Sequence, residues 1–313
     1  MSDPRLTPAN GRVAAASLRG QVEAQRFVEG EARRIATDIA ELWSAPTRGE
    51  RRRQLLYGET FTVYETVGAR AFGQSGRDGH VGYVATEALA PPTAPTAPTS
   101  PTAPGDAASH KVVALATHLY SEASIRAPDV MRLYFGSRLA IVGRRAAGGG
   151  ERFLETAQGL FVPARHVAPL DSRAADPVSV AQRFLGVPYL WGGNSCLGMD
   201  CSGLVQAAML ACGVACPGDS DLQEAALGEP LPESAPLERG DLVFWKGHVA
   251  LVVDEHRLIH ANGFDMAVAH EPVEEAIARI RAQGDGAVTS RRRVRALAGS
   301  RRPRMSPAGG RRS

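Results

Sequence analysis

Six prolines fall within residues 91–106, in the run Pro91-Pro92-Thr93-Ala94-Pro95-Thr96-Ala97-Pro98-Thr99-Ser100-Pro101-Thr102-Ala103-Pro104-Gly105-Asp106. Proline gives no backbone N–H to a ladder and fixes φ, and the Thr and Ala between offer no apolar face to bury. No core can run through such a stretch. It predicts an extended, semi-rigid linker that obliges the 313 residues to fold as separate units on its two sides.

On both sides the first signal is short β runs divided by turn residues. Before the linker they lie at 54–59, 61–65 and 81–84, and 28–42 is mixed. After it they lie at 112–116, 133–137, 139–143, 152–156 and 159–163. The stretches 55–59 and 133–137 hold equivalent places, each followed by a β run, which reads as a duplicated unit. Two small β-barrels are the expected outcome.

The second half changes character at Pro188-Tyr189-Leu190-Trp191-Gly192-Gly193-Asn194-Ser195-Cys196-Leu197-Gly198-Met199-Asp200-Cys201-Ser202-Gly203-Leu204-Val205. Apolar residues follow at Leu204, Val205, Ala208, Met209 and Cys212, a helical stripe that Gly213 stops. Cys201 therefore stands where a glycine-rich loop becomes an amphipathic helix. Unpaired N–H groups and the macrodipole at that end favour a thiolate. Downstream, 240–254 reads as two strands around a short turn and 258–263 as a third, with His248 opening one strand and His260 closing the next. Neighbouring antiparallel strands can set two imidazoles side by side. Cys, His, His is then a nucleophile, a general base and an orienting group. A lone Cys near a helix start is usually a small buried hydrophobe. The ordered conjunction of loop, Cys, helix, strand, His, strand and His is what points to catalysis.

These stretches resemble the NlpC/P60 cysteine peptidases, a circularly permuted papain-like family that cuts peptidoglycan stem peptides. The resemblance runs from about 176 to 296. It implies an α+β papain-like domain in which Cys201 is the nucleophile, His248 the base and His260 the orienting residue. It also implies Tyr189 near the oxyanion and Trp191 as a wall of the site. The two upstream units resemble bacterial SH3-type barrels, 78–84 looking like a last-strand signature. Two such barrels before an NlpC/P60 domain resemble the murein-peptide recycling γ-D-glutamyl-L-diamino acid endopeptidases. That group grips the free N-terminal L-Ala ammonium of its substrate, and the matching positions are Asp200, Ser202 and Ser220. Asp200 and Ser220 also read as helix caps. Where the group commonly carries Tyr, this chain has His80.

The expected organisation is an N-terminal segment and first barrel at 1–90, the linker at 91–106, a second barrel at 107–172, the catalytic domain at 173–296 and a basic tail at 297–313. Nine arginines follow Asp285 with no acid among them, so the formal charge of +3 hides an acidic body and a basic end. Residues 296–313 hold almost no large apolar side chain and read as a solvated segment rather than a nucleic-acid or membrane contact. No stretch approaches the roughly 18 apolar residues of a membrane span. The start Met1-Ser2-Asp3-Pro4-Arg5-Leu6-Thr7 lacks a basic, then apolar, leader. The expectation is a cytoplasmic enzyme acting on murein-derived peptides, with no nucleic acid, membrane, metal or organic cofactor involved. The alternative is an exported peptidoglycan hydrolase whose barrels bind the wall. The remaining thiols, Cys196, Cys212 and Cys216, lack a second metal-ligand pair and read as buried or incidental.

Overall fold

The structure, a computed structural model, describes residues 3–47, 49–90, 108–146, 152–284 and 286–295. The proline run at 91–106 and the tail at 297–313 lie outside these residues. Two β units precede a mixed domain of helices and a six-stranded antiparallel sheet.

The first unit is a seven-stranded sheet ordered Arg51–Leu56, Ile39–Trp43, Val81–Ala85, Arg70–Ser75, Thr60–Val67, Glu31–Ile35, Leu89–Ala90. It curls around Ile35, Leu42, Leu55, Phe61 and Val84, which have almost no exposed surface. The mixed stretch 28–42 contains two of these strands. Its alternation is hidden because Glu31–Ile35 buries only Ile35 fully and turns Glu31 and Ala32 outward.

The second unit splits into a three-stranded and a five-stranded sheet. The expected run 112–116 is divided: His110–Val112 and Ala116–Tyr120 are separate strands in separate sheets. Both units pass through a 3-10 turn, Thr86–Ala88 or Ala164–His166, into a short final strand. The equivalent stretches 55–59 and 133–137 meet. Gly58 has φ 79°, and a Cβ there would collide with the Arg138 carbonyl. The Arg138 N–H donates to the Tyr57 carbonyl at 2.8 Å. A side chain at Gly58 would be strained in φ and would part the two units.

In the third domain α1 (Pro177–Gln182) starts on the Asp176 carboxylate, which accepts from the Val178 and Ser179 N–H groups. After the glycine-rich loop comes α2 (Cys201–Ala211), ended by Gly213 at φ 78°. Helix α3 (Ser220–Ala226) leads to the sheet, ordered Glu229–Pro230, Ser290–Arg293, Leu242–Trp245, His248–Val252, Arg257–Asn262, Ala267–Pro272. Strand alternation separates two cores. Phe244, Val249, Leu251 and Ile259 pack with Leu204, Val205 and Met209 of α2. Val243, Ala250, Val252 and Leu258 pack with Ala276 and Ile280 of α4 (Val273–Gln283) on the other side. Three of the late arginines belong to this sheet, and Arg293 forks onto Asp241 at 2.9 and 2.8 Å.

The first barrel is bolted to the catalytic domain by its strand Arg51–Leu56. The Gln54 N–H donates to the Gly192 carbonyl at 2.8 Å, and Gln54 Oε1 accepts from the Asn194 N–H at 3.1 Å. Beside it Arg53 is 1% exposed, with Nε 3.1 Å from Asp78 Oδ2 and Nη1 3.2 Å from Asp219 Oδ1. Its Nη2 reaches Asn194 Oδ1 and Gln206 Oε1 at 3.4 and 3.3 Å. Removing one partner of a buried ion pair leaves an uncompensated charge. Arg53→Ala is expected to cost about 3–5 kcal/mol of unfolding free energy, read from the midpoint of urea denaturation.

Candidate active site

Asp200 makes the start of α2. Its Oδ1 accepts from the Gly203 N–H at 2.6 Å and from the Ser202 hydroxyl at 3.0 Å, and its Oδ2 accepts from the Gly192 N–H at 2.8 Å. One carboxylate thus satisfies orphan donors of the helix and of the loop. The next residue is Cys201, which is buried; the backbone N–H of Val249, the neighbour of His248, favours its charged form. Of the two readings of Asp200, the capping one is realised in the geometry.

His248 enters its strand from the Lys246-Gly247 turn, where Gly247 has φ 77° and Trp245 pairs with His248. His260 lies within Arg257–Asn262 and is wholly buried. The two rings meet at His248 Nε2···His260 Nδ1, 2.9 Å. The other face of His260 is closed by Glu271, Oε2 3.0 Å from Nε2, and Glu271 is held in turn by Arg279. Neither Glu271 nor Arg279 follows from the sequence motifs. The available signal was the hairpin register: pairing Arg257–Asn262 with Ala267–Pro272 sets Glu271 diagonally across from His260.

The electrostatics reverse one expectation. Burial, and after it the adjacent Asp200 charge, push the Cys201 thiol up to about 12. Burial, then His260 and Arg279, push His248 down to about 3. A helix terminus contributes about 0.3–1 kcal/mol, under one pKa unit, so it cannot offset desolvation together with a neighbouring carboxylate. Both groups are thereby held in their neutral forms, thiol and imidazole. Tyr189 is also raised, by burial first and then by Cys201 and Asp200, so its phenol keeps its proton.

Cys201 opens onto a cleft of about 370 Å³. The catalytic domain contributes Tyr189, Trp191, Asp200, Ser202, Ser220 and Asp221; Arg5, Glu50, Arg51, Arg52 and His80 come from the N-terminal unit. Trp191 stands 66% exposed at the rim. Ser220 is buried and is the first residue of α3, whose N-cap is Asp219, so Ser220 does not cap that helix. His80 has no exposed surface, and its Nε2 and Nδ1 lie 3.3 and 3.6 Å from Asp219 and Asp78. Burial opposes charge on His80, but the two carboxylates outweigh it and raise its pKa. The ring is therefore a strut behind Asp219. Arg5 reaches Asp219 Oδ2 at 2.7 Å and also pairs with Asp221. No sequence pattern links residue 5 to an acid 214 positions later. Among the described residues no group of three His, Cys, Asp or Glu is placed to hold a metal ion. Among the described residues no helix is long and apolar enough to cross a membrane.

Residues 186–284, which contain Cys201, His248, His260 and Glu271, match the NlpC/P60 family. The chain carries an NlpC/P60 domain. NlpC/P60 proteins form a family of cysteine peptidases. Residues 42–89 match the bacterial dipeptidyl-peptidase SH3 domain, which covers Arg53 and His80. The chain is 40% identical over 87 residues to the "Dipeptidyl-peptidase 6" of Lysinibacillus sphaericus, covering 27% of this chain and 31% of that one. It is 37% identical over 121 residues to the "Gamma-D-glutamyl-L-lysine dipeptidyl-peptidase" of Bacillus subtilis, covering 36% and 38%. The chain thus spans about a third of the length of these curated relatives. A solved NlpC/P60 family protein of Bacillus cereus shares the fold, with TM-score 0.68 at 19% identity over 84% of this chain and 99% of that one.

A neutral resting pair has a signature in alkylation. The thiolate fraction of Cys201 rises with pH throughout the range below about 12. Iodoacetamide should therefore modify Cys201 in the substrate-free protein at a rate that climbs steadily from pH 6 to about pH 10. A rate already flat from about pH 5 would reveal a preformed thiolate–imidazolium pair instead.

Proposed function

We propose that this protein is a cysteine endopeptidase that hydrolyses the γ-D-glutamyl–diamino acid bond of murein peptides bearing a free N-terminal L-Ala, and that it does so in the cytoplasm as part of cell-wall peptide recycling. The observation that carries the reading is the wall that the N-terminal unit builds across the Cys201 cleft. Arg5, Glu50, Arg51 and Arg52 line the same cleft of about 370 Å³ as the nucleophile. A glycan strand attached at the peptide's N-terminus would have to displace a barrel anchored through buried Arg53.

In the proposed reaction His248 takes the proton of Cys201 as sulfur attacks the γ-glutamyl carbonyl carbon. The oxyanion accepts from the Cys201 backbone N–H and the Tyr189 hydroxyl. Collapse breaks the C–N bond, and His248 passes its proton to the departing amine of the diamino acid. Water then attacks the thioester, His248 takes a water proton, and the dipeptide leaves with a new carboxylate as the thiol re-forms. The substrate ammonium meets Asp200, whose oxygens keep lone pairs beyond those spent on the helix, with Ser202 and Ser220 beside it. The name of the Bacillus subtilis relative, a gamma-D-glutamyl-L-lysine dipeptidyl-peptidase, supports a γ-D-glutamyl–diamino acid bond as the one cut.

The test is a comparison of L-Ala-γ-D-Glu-diaminopimelate with its N-acetylated form, products being read by mass spectrometry. Acetylation removes the charge and leaves a buried acceptor unpaired, at a cost of roughly 1–3 kcal/mol or more. At least about a ten-fold loss in kcat/KM is expected. Cys201→Ala should show no turnover, His248→Ala almost none, and His260→Ala a measurable remnant. Efficient cleavage of intact sacculi by the full-length protein would overturn the recycling assignment in favour of an exported wall hydrolase.

A further inference from the structure

The imidazole pair does not end at His260. The strand Ala267–Pro272 pairs with Arg257–Asn262 so that His260 faces Ala269 and Leu258 faces Glu271. Glu271 is then the diagonal neighbour of His260 on one side of the sheet. Its Oε2 lies 3.0 Å from His260 Nε2, somewhat off the line of the ring N–H. Arg279 of α4 grips the same carboxylate as a fork, Nε to Oε1 at 2.8 Å and Nη2 to Oε2 at 2.7 Å. Burial works against the charge on Glu271, but the Arg279 fork and His260 outweigh it and hold the carboxyl at about 2. The group is an anion through the neutral range.

That charge determines where protons sit. An ionised carboxylate only accepts, so the nitrogen it faces, His260 Nε2, carries the hydrogen. Taken as the neutral ring, His260 has that one N–H, which leaves its Nδ1 as a lone pair. His248 Nε2 lies 2.9 Å from that lone pair and must donate to it. The lone pair of His248 is then on Nδ1, the ring nitrogen left for Cys201. We propose that Glu271, clamped by Arg279, is a positioning residue that fixes the tautomers of both histidines and so hands His248 Nδ1 to Cys201 as the base. The inference rests on His248 being the base of the proposed reaction. Glu271 touches neither sulfur nor substrate; it acts through two rings.

A clamp that merely ties α4 to the edge strand would leave the histidine protons indifferent to it, so the deciding measurement is of those protons. Histidine-selective ¹⁵N spectra of the full-length protein should show Nε2–H, Nδ1-lone-pair tautomers at both His248 and His260, assigned with His248→Gln and His260→Gln. In Glu271→Gln, and in Glu271→Ala if it folds, His248 should lose that single tautomer and show a mixture or the Nδ1–H form. Peptide turnover should fall by at least about ten-fold in kcat with KM within about two-fold, while Glu271→Asp recovers part of the loss. A wild-type His248 in the Nδ1–H form would overturn the inference, as would a His248 that keeps Nε2–H in folded Glu271→Gln. The spectra need no substrate. A protein that cleaves no murein peptide yet shows the tautomer switch would defeat the proposed function and leave the proton ordering standing.

Discussion

A guanidinium with 1% of its surface exposed organises this molecule. Burial works against the charge on Arg53, and the carboxylates of Asp78, Asp200 and Asp219 outweigh it. Such a group is tolerated only where opposite charge and acceptors surround it. The acceptors come from the barrel's Asp78, from Asn194 in the glycine-rich loop, from Gln206 on α2 and from Asp219 before α3. Satisfying one arginine thus places the barrel, the loop ahead of the nucleophile and two helices relative to each other. Gly218 is there for the same reason, because a Cβ would run into Arg53 and His80.

The active centre is then a matter of which nitrogen and which sulfur are left free. Asp200 spends its oxygens on the backbone and on Ser202, and its charge beside Cys201 discourages a thiolate. His248 is held from behind by His260, and His260 by Glu271. A neutral thiol is a poor nucleophile toward oxidants as well as amides, so a buried Cys201 is protected while the cleft is empty. The cleft differs from the core beneath it in carrying charge of both signs from two domains.

Much of this was legible. Cys201 could be set at a helix start because Asp200, the stripe Leu204, Val205, Ala208 and Met209, and the stop at Gly213 are all local signals with periods of their own. The strand entering at His248 could be read because Lys246-Gly247 between apolar runs is a turn. The β units were visible as short β runs, but Glu31–Ile35 was not, since a strand with one fully buried residue has no alternation to detect. The run 112–116 misled because an apolar stretch says nothing about where a strand leaves one sheet for another.

By itself, then, the sequence determined the local elements, the place of the nucleophile at the head of its helix, the two histidines and the resemblance they carry to the NlpC/P60 family. Each rests on residues a few positions apart, whose periodicity survives without knowledge of the rest. Tertiary structure alone decided that the thiol is neutral at rest, that His80 is a strut, that Arg5 closes the cleft and that Glu271 stands behind His260. Charge depends on burial and on neighbours brought from distant positions, and neither is written in local spacing. Arg5 and Asp219 are 214 residues apart in the chain and 2.7 Å apart in space.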